Sequence, residues 1–129
     1  MMHEDGAAYA TVVATVSLGA SICLDVAGRG DKAGSTDYAL PTRILQEPRS
    51  LLITMGSAYT DLLHGISNVE VDVDLNAETV ANWSLLAQPE RFEGAGGKNI
   101  RGTRVSLTYR DVIKVSSAAS KILGGLNRR

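Results

Sequence analysis

The chain reads as a mainly β, single-domain protein, and three stretches carry that prediction. Arg104 to Arg110 alternates strictly: Arg104, Ser106, Thr108 and Arg110 share one face of a strand, and Val105, Leu107 and Tyr109 share the other. Ala10 to Leu18 and Ser21 to Val26 are β-branched, apolar runs broken at Gly19, as expected of neighbouring core strands joined by a short turn. Val69 to Leu75 alternates again, with Val69, Val71, Val73 and Leu75 opposite Glu70, Asp72 and Asp74. A chain of 129 residues with 44% hydrophobic and 21% charged residues suits one core.

The remaining elements follow in order. Residues 27–48 contain Pro41 and Pro48 among Gly and Asp, and predict a long surface loop. Arg49 to Met55 is another strand, and Ser57 to Leu63 is a short helix or turn that delivers His64. The carboxylates of 69–75 lack the loop glycine and closing glutamate of a calcium loop, so they are read as a solvated row. Asn76 is placed to cap a helix running to Gln88 that buries Val80, Trp83 and Leu86. Gly94 to Lys98 is a connector rather than a phosphate loop, because Asn99 stands where Ser or Thr is required. Together, 67–99 make a second long surface insertion. Ser116 to Leu123, closed by Gly124 and Gly125, predicts a terminal amphipathic helix.

Charge is divided along the chain. Residues 1–90 carry four Lys or Arg against twelve acids, and residues 91–129 carry nine against two. Basic clustering of this kind is the footprint of phosphate binding, so nucleic acid is an expected partner of the C-terminal third, through Arg91, Lys98, Arg101, Lys114, Lys121, Arg128 and Arg129. A solvated basic face is the alternative. Aromatic residues are 5% and do not interleave with the basic ones, so no base-stacking platform is visible. No run of about 18 apolar residues and no secretory leader is present, which predicts no membrane partner and a cytoplasmic or nuclear location. The single Cys23 sits in an apolar run and reads as a small core residue.

Two motifs carry chemistry. His3 and Asp5, two residues apart on an extended strand, point to one side. A third ligand, His64, completes two histidines and one carboxylate, the donor set of non-haem Fe(II) oxygenases; solvated surface residues are the alternative. Arg104 and Arg110, flanking Ser106 and Thr108, make a face suited to an anion, since the guanidinium fork matches a carboxylate with two charge-assisted bonds. The alternative there is a half-buried strand with a solvated polar side.

The stretches MMHEDGAAYATVVATVSLGASICLDV, PRSLLITMGSAYTDLLHGI and RGTRVSLTYRDV resemble the AlkB family of Fe(II)- and 2-oxoglutarate-dependent dioxygenases, and within it the branch of the sixth eukaryotic homologue. The His-x-Asp, the His-Gly-Ile some sixty residues on and the paired-arginine strand stand in the family's order. The resemblance implies a double-stranded β-helix, or jelly roll, with short flanking helices. It implies that His3, Asp5 and His64 ligate Fe(II), that Arg104 holds the distal carboxylate of 2-oxoglutarate, and that Arg110 either sits near its iron-chelating end or orients the following residues toward the substrate, with Ser106 between them at the co-substrate. The implied activity is oxidative demethylation or hydroxylation, with methylated nucleic acid as a candidate substrate.

The family also has strands and lid segments ahead of the His-x-Asp motif, one of them carrying an Asn and a Tyr that contact 2-oxoglutarate. Only Met1 and Met2 precede His3 in this sequence. An N-terminally truncated domain, and hence an incomplete jelly roll, is therefore expected. Open sheet edges and exposed apolar faces then predict self-association. The second functional reading is a non-catalytic jelly-roll interaction module or degenerate fragment.

Overall fold

Strict alternation over 104–110 and the β-branched run at 10–18 meet in one sheet. The structure, a computed structural model, describes residues 2–6, 9–28 and 42–113. Its strands are β1 (Tyr9–Gly19), β2 (Ile22–Gly28), β3 (Thr42–Gln46), β4 (Leu51–Met55), β5 (Leu62–Gly65), β6 (Val71–Asp72), β7 (Asn99–Ile100) and β8 (Arg104–Val112). Two short helices, α1 (Ser57–Thr60) and α2 (Pro89–Gly94), and a 3₁₀ turn at Trp83–Leu85 complete the described elements. The protein is thus mainly β and jelly-roll-like, as expected. One antiparallel sheet has the order β4-β1-β8, a second has β3-β2-β5, and β6 pairs with β7.

The chain crosses between the two large sheets at two tight bends. β1 ends at Gly19, whose φ is +83°, and a side chain there would collide with the Thr103 carbonyl that accepts a hydrogen bond from the Ala20 amide. Glycine is required at this corner. It sends the chain into β2 of the other sheet, so β1 and β2 are not the paired neighbours their sequence suggested. The return from β3 to β4 passes through Arg49, at φ +69°, with the Arg49 amide donating to the Ser17 carbonyl. β3 itself lies inside the stretch read as loop, and residues 29–41 of that stretch are outside the described residues.

Each large sheet has one face toward the other. Val13, Thr15 and Ser17 of β1, Leu52 and Thr54 of β4, and Arg104, Ser106, Thr108 and Arg110 of β8 face Leu24, Gln46 and His64 of the second sheet. The hydrophobic core lies elsewhere. Cys23 and Leu45, on the far face of the second sheet, pack with Leu75, Val80 and Phe92, and Trp83 and Leu86 close over them. Burial of Phe92 and its neighbours is the main driving force for laying 67–99 over this face.

That segment departs from expectation in two places. Asp74 adopts φ +57°, which interrupts the alternation: Leu75 turns inward while Val69, Val71 and Val73 are exposed. Asp72 is not solvated but buried, and Arg101 pairs with it through Nη2 at 2.5 Å and Nε at 3.0 Å. No helix runs from Asn76 to Gln88. The Asn76 side chain does accept from the amides of Glu78 and Thr79, but it caps only a turn. Val80 then bridges to Arg43, and Asn82 Oδ1 and Nδ2 pair with the backbone of Leu45 at 2.9 Å each. These bonds satisfy the open edge of β3, and a helix could not supply them. Val80, Trp83 and Leu86 reach the core as predicted. The terminal helix read at Ser116 to Leu123 lies outside the described residues.

Candidate active site between the sheets

His64 is held on both sides by backbone pairing. β5 places it opposite Val26 of β2, and on its other edge His3 exchanges two backbone hydrogen bonds with it, each 2.8 Å. Residues paired in this way project side chains to the same face, and the two imidazole rings lie 4.6 Å apart between centroids. Two residues along the extended segment, Asp5 emerges on that face as well. Its carboxylate accepts from Arg110 Nη2 at 2.7 Å, and its other oxygen is 3.9 Å from His64 Nε2, too far for a hydrogen bond. Tyr59 of α1 donates to the Gly6 carbonyl at 2.9 Å and so ties down the end of the segment.

These groups line one end of a cavity of about 280 Å³ between the sheets. Arg104 lies in the same wall as Arg110, six residues along β8, with Ser106 and Thr108 between them. The cavity therefore gathers all five residues singled out for metal and co-substrate together with Ser106. The polar side of β8 faces this cavity, and Val105, Leu107 and Tyr109 point outward. Val13, Leu24 and Leu52 give the cavity an apolar lining beside its polar groups.

The electrostatics suit a cation at one end and an anion at the other. Burial lowers the pKa of His64 below its ordinary value against the opposing pull of Asp5, so its imidazole is neutral near pH 7, the form that coordinates metal. Two imidazoles and a carboxylate are a donor set that fits Fe(II). Among the described residues no three His, Cys, Asp or Glu side chains stand in a closed ligand arrangement, and the Asp5 carboxylate is paired with Arg110. Burial lowers the pKa of Arg104 from its ordinary value, yet a guanidinium remains charged. Its Nε is buried without a hydrogen-bond partner, an orphan donor of the kind that a bound anion would satisfy.

Two further residues touch Arg104. Its Nη2 donates to Ser17 Oγ and to Gln46 Oε1, both at 2.9 Å. Neither residue stood out in the sequence: Ser17 shares the inward face of β1 with Val13 and Thr15, and Gln46 alternates with Ile44 in β3. Of the basic residues read as phosphate contacts, Arg101 is committed to Asp72 and the Ser67 carbonyl. Lys114, Lys121, Arg128 and Arg129 lie outside the described residues.

No family model matches the chain. A protein of Danio rerio described as a probable RNA/DNA demethylase ALKBH6 is 34% identical over 123 residues, which is 92% of this chain and 50% of that protein. The chain spans about half the length of the curated relative it matches.

Proposed function

From the premise that the chain is AlkB-like, we propose that it is an Fe(II)- and 2-oxoglutarate-dependent dioxygenase of the AlkB type acting on methylated nucleic acid. The observation that carries the proposal is the convergence of His3, Asp5 and His64 at one end of a single cavity, with the half-buried guanidinium of Arg104, its Nε unpartnered, lining the same cavity. The relative's description as a probable RNA/DNA demethylase supports the substrate class.

In this reading His3, Asp5 and His64 hold the iron. Bound iron would let dioxygen oxidise both partners: 2-oxoglutarate would lose carbon dioxide and take up one oxygen atom to become succinate, and the other oxygen atom would hydroxylate a C–H bond of the substrate, so that a hydroxylated N-methyl group would leave as formaldehyde. Arg110 orients the Asp5 carboxylate through its 2.7 Å bond and keeps one carboxylate oxygen turned toward His64. Arg104 receives the distal carboxylate and fixes the direction in which the co-substrate lies, with the Ser106 and Thr108 hydroxyls alongside. Val13, Leu24 and Leu52 line the cavity beside these polar groups and present apolar surface to whatever lies between them.

The test is metal and co-substrate stoichiometry in three proteins. The wild type is expected to bind one Fe(II), His64→Ala to bind none, and Arg104→Ala to keep iron but require much more 2-oxoglutarate. Stoichiometric iron in His64→Ala, or unchanged 2-oxoglutarate affinity in Arg104→Ala, would contradict the assignment. The second reading, an interaction module, draws on the apolar outer face of the β4-β1-β8 sheet, where Leu51, Ile53, Met55, Val105 and Tyr109 are more than half exposed. Self-association through that face, seen by light scattering in a protein that binds no iron, would favour it.

A further inference from the structure

Gln46 is a buried amide with one end fully accounted for. It is 4% exposed, sits on the inward side of β3, and faces Ser17 of the opposite sheet, which is fully buried. Ser17 Oγ donates to Gln46 Oε1 at 2.7 Å, and Arg104 Nη2 donates to both oxygens at 2.9 Å. The triangle joins β1, β3 and β8, so it crosses the space between the sheets.

The chemistry fixes which way the amide faces. A guanidinium only donates, so the atom toward Arg104 must be the carbonyl oxygen, and the NH₂ group points away from it. Nη2 uses its two hydrogens on Ser17 and Gln46, which leaves Nε–H as the buried donor without a partner. Among the described residues no protein acceptor is hydrogen-bonded to Gln46 Nε2, although Gln46 lines the cavity. Two unused donors, one charged and one neutral, thus belong to the same small cluster. A carboxylate accepts through two oxygens and matches that pair.

We infer that Gln46 is a recognition residue for the distal carboxylate of the co-substrate: its carbonyl, with Ser17 as a positioning residue, locks the Arg104 guanidinium, and its NH₂ group donates to the carboxylate. This rests on the 2-oxoglutarate reading above and adds a selectivity device to it. The same residue that orients the cation supplies a second hydrogen bond, so a ligand that lacks the distal carboxylate gains nothing from either.

The experiment is oxygen-free calorimetric titration of the Fe(II)-loaded full chain with 2-oxoglutarate and with 2-oxopentanoate, the same carbon chain ending in a methyl group. Gln46→Leu is expected to weaken 2-oxoglutarate about tenfold and to leave 2-oxopentanoate within about twofold of wild type. Gln46→Glu separates recognition from scaffolding. It keeps an acceptor for Arg104 and Ser17 but loses the donor and adds a negative charge, so 2-oxoglutarate should weaken at least as much as in Gln46→Leu. Wild-type affinity in Gln46→Glu, or equal weakening of both ligands in Gln46→Leu, would overturn the inference. Where Gln46→Leu does not fold, Ser17→Ala serves, with a smaller loss confined to 2-oxoglutarate as the expected result and no loss as the contrary one. A wild type that binds neither ligand would instead defeat the co-substrate reading itself.

Discussion

The two large sheets share a polar cavity but differ in what lies behind them. Behind β3-β2-β5, residues 67–99 bury Cys23 and Leu45 against Leu75, Val80 and Phe92, and even the β3 edge is satisfied by the Asn82 side chain. Behind β4-β1-β8, among the described residues, the apolar outward faces of all three strands stay open. Sheet stability and site chemistry are thereby separated. The core sits outside the pair of sheets, and the space between them is left for charged and hydroxyl groups that a packed core would exclude.

Substitutions on the two sides should differ accordingly. Phe92→Ala removes the largest fully buried side chain and is expected to cost about 3–5 kcal/mol in denaturant unfolding; a loss near zero would mean that 67–99 does not hold the second sheet. Arg101→Ala leaves the Asp72 carboxylate buried without its ion pair and is expected to cost about 3 kcal/mol. The Arg101→Ala, Asp72→Asn double variant should recover part of that loss.

Cys23 sharpens the comparison through pH. Burial, with Asp72 adding to it, pushes its thiol from 9.0 up to about 12. Because the folded value is raised, the contribution to stability is complete below about 9 and is lost as pH climbs toward 12. The thiol should resist alkylation at pH 8 in the folded chain and react after denaturation; rapid reaction in the native protein would show that the core is open. The smallest expected effect is on the other side. Leu51→Thr, at an exposed position, should change stability by about 0.5 kcal/mol while lowering any concentration-dependent association in light scattering.

Most of the sheet framework was legible because β1, β2, β4 and β8 carry β-branched runs or strict alternation. β3 was hidden because both its faces carry polar residues for tertiary reasons: Arg43 bonds the carbonyls of Val73 and Asp74, and Gln46 bonds Arg104. The reading of 69–75 failed at Asp74, whose backbone angle turns Leu75 inward, and at Asp72, which is buried against Arg101 rather than solvated; the 76–88 helix failed because Asn82 and Val80 are bonded to β3. Period-two spacing made legible that His3 shares a face with Asp5, and Arg104 with Ser106, Thr108 and Arg110, and these residues line one cavity. What spacing could not reveal was the partner across the cavity. Ser17 and Gln46 meet Arg104 only because the chain changes sheets at Gly19 and again near Arg49.

The most direct test of the cavity's role is an oxygen-free titration of the purified chain with Fe(II) and then 2-oxoglutarate, followed by visible absorption alongside His64→Ala. The account predicts a charge-transfer band in the wild type that saturates with 2-oxoglutarate and is missing from the variant. Folded wild-type protein that gives no band, or a band that persists in His64→Ala, would contradict it.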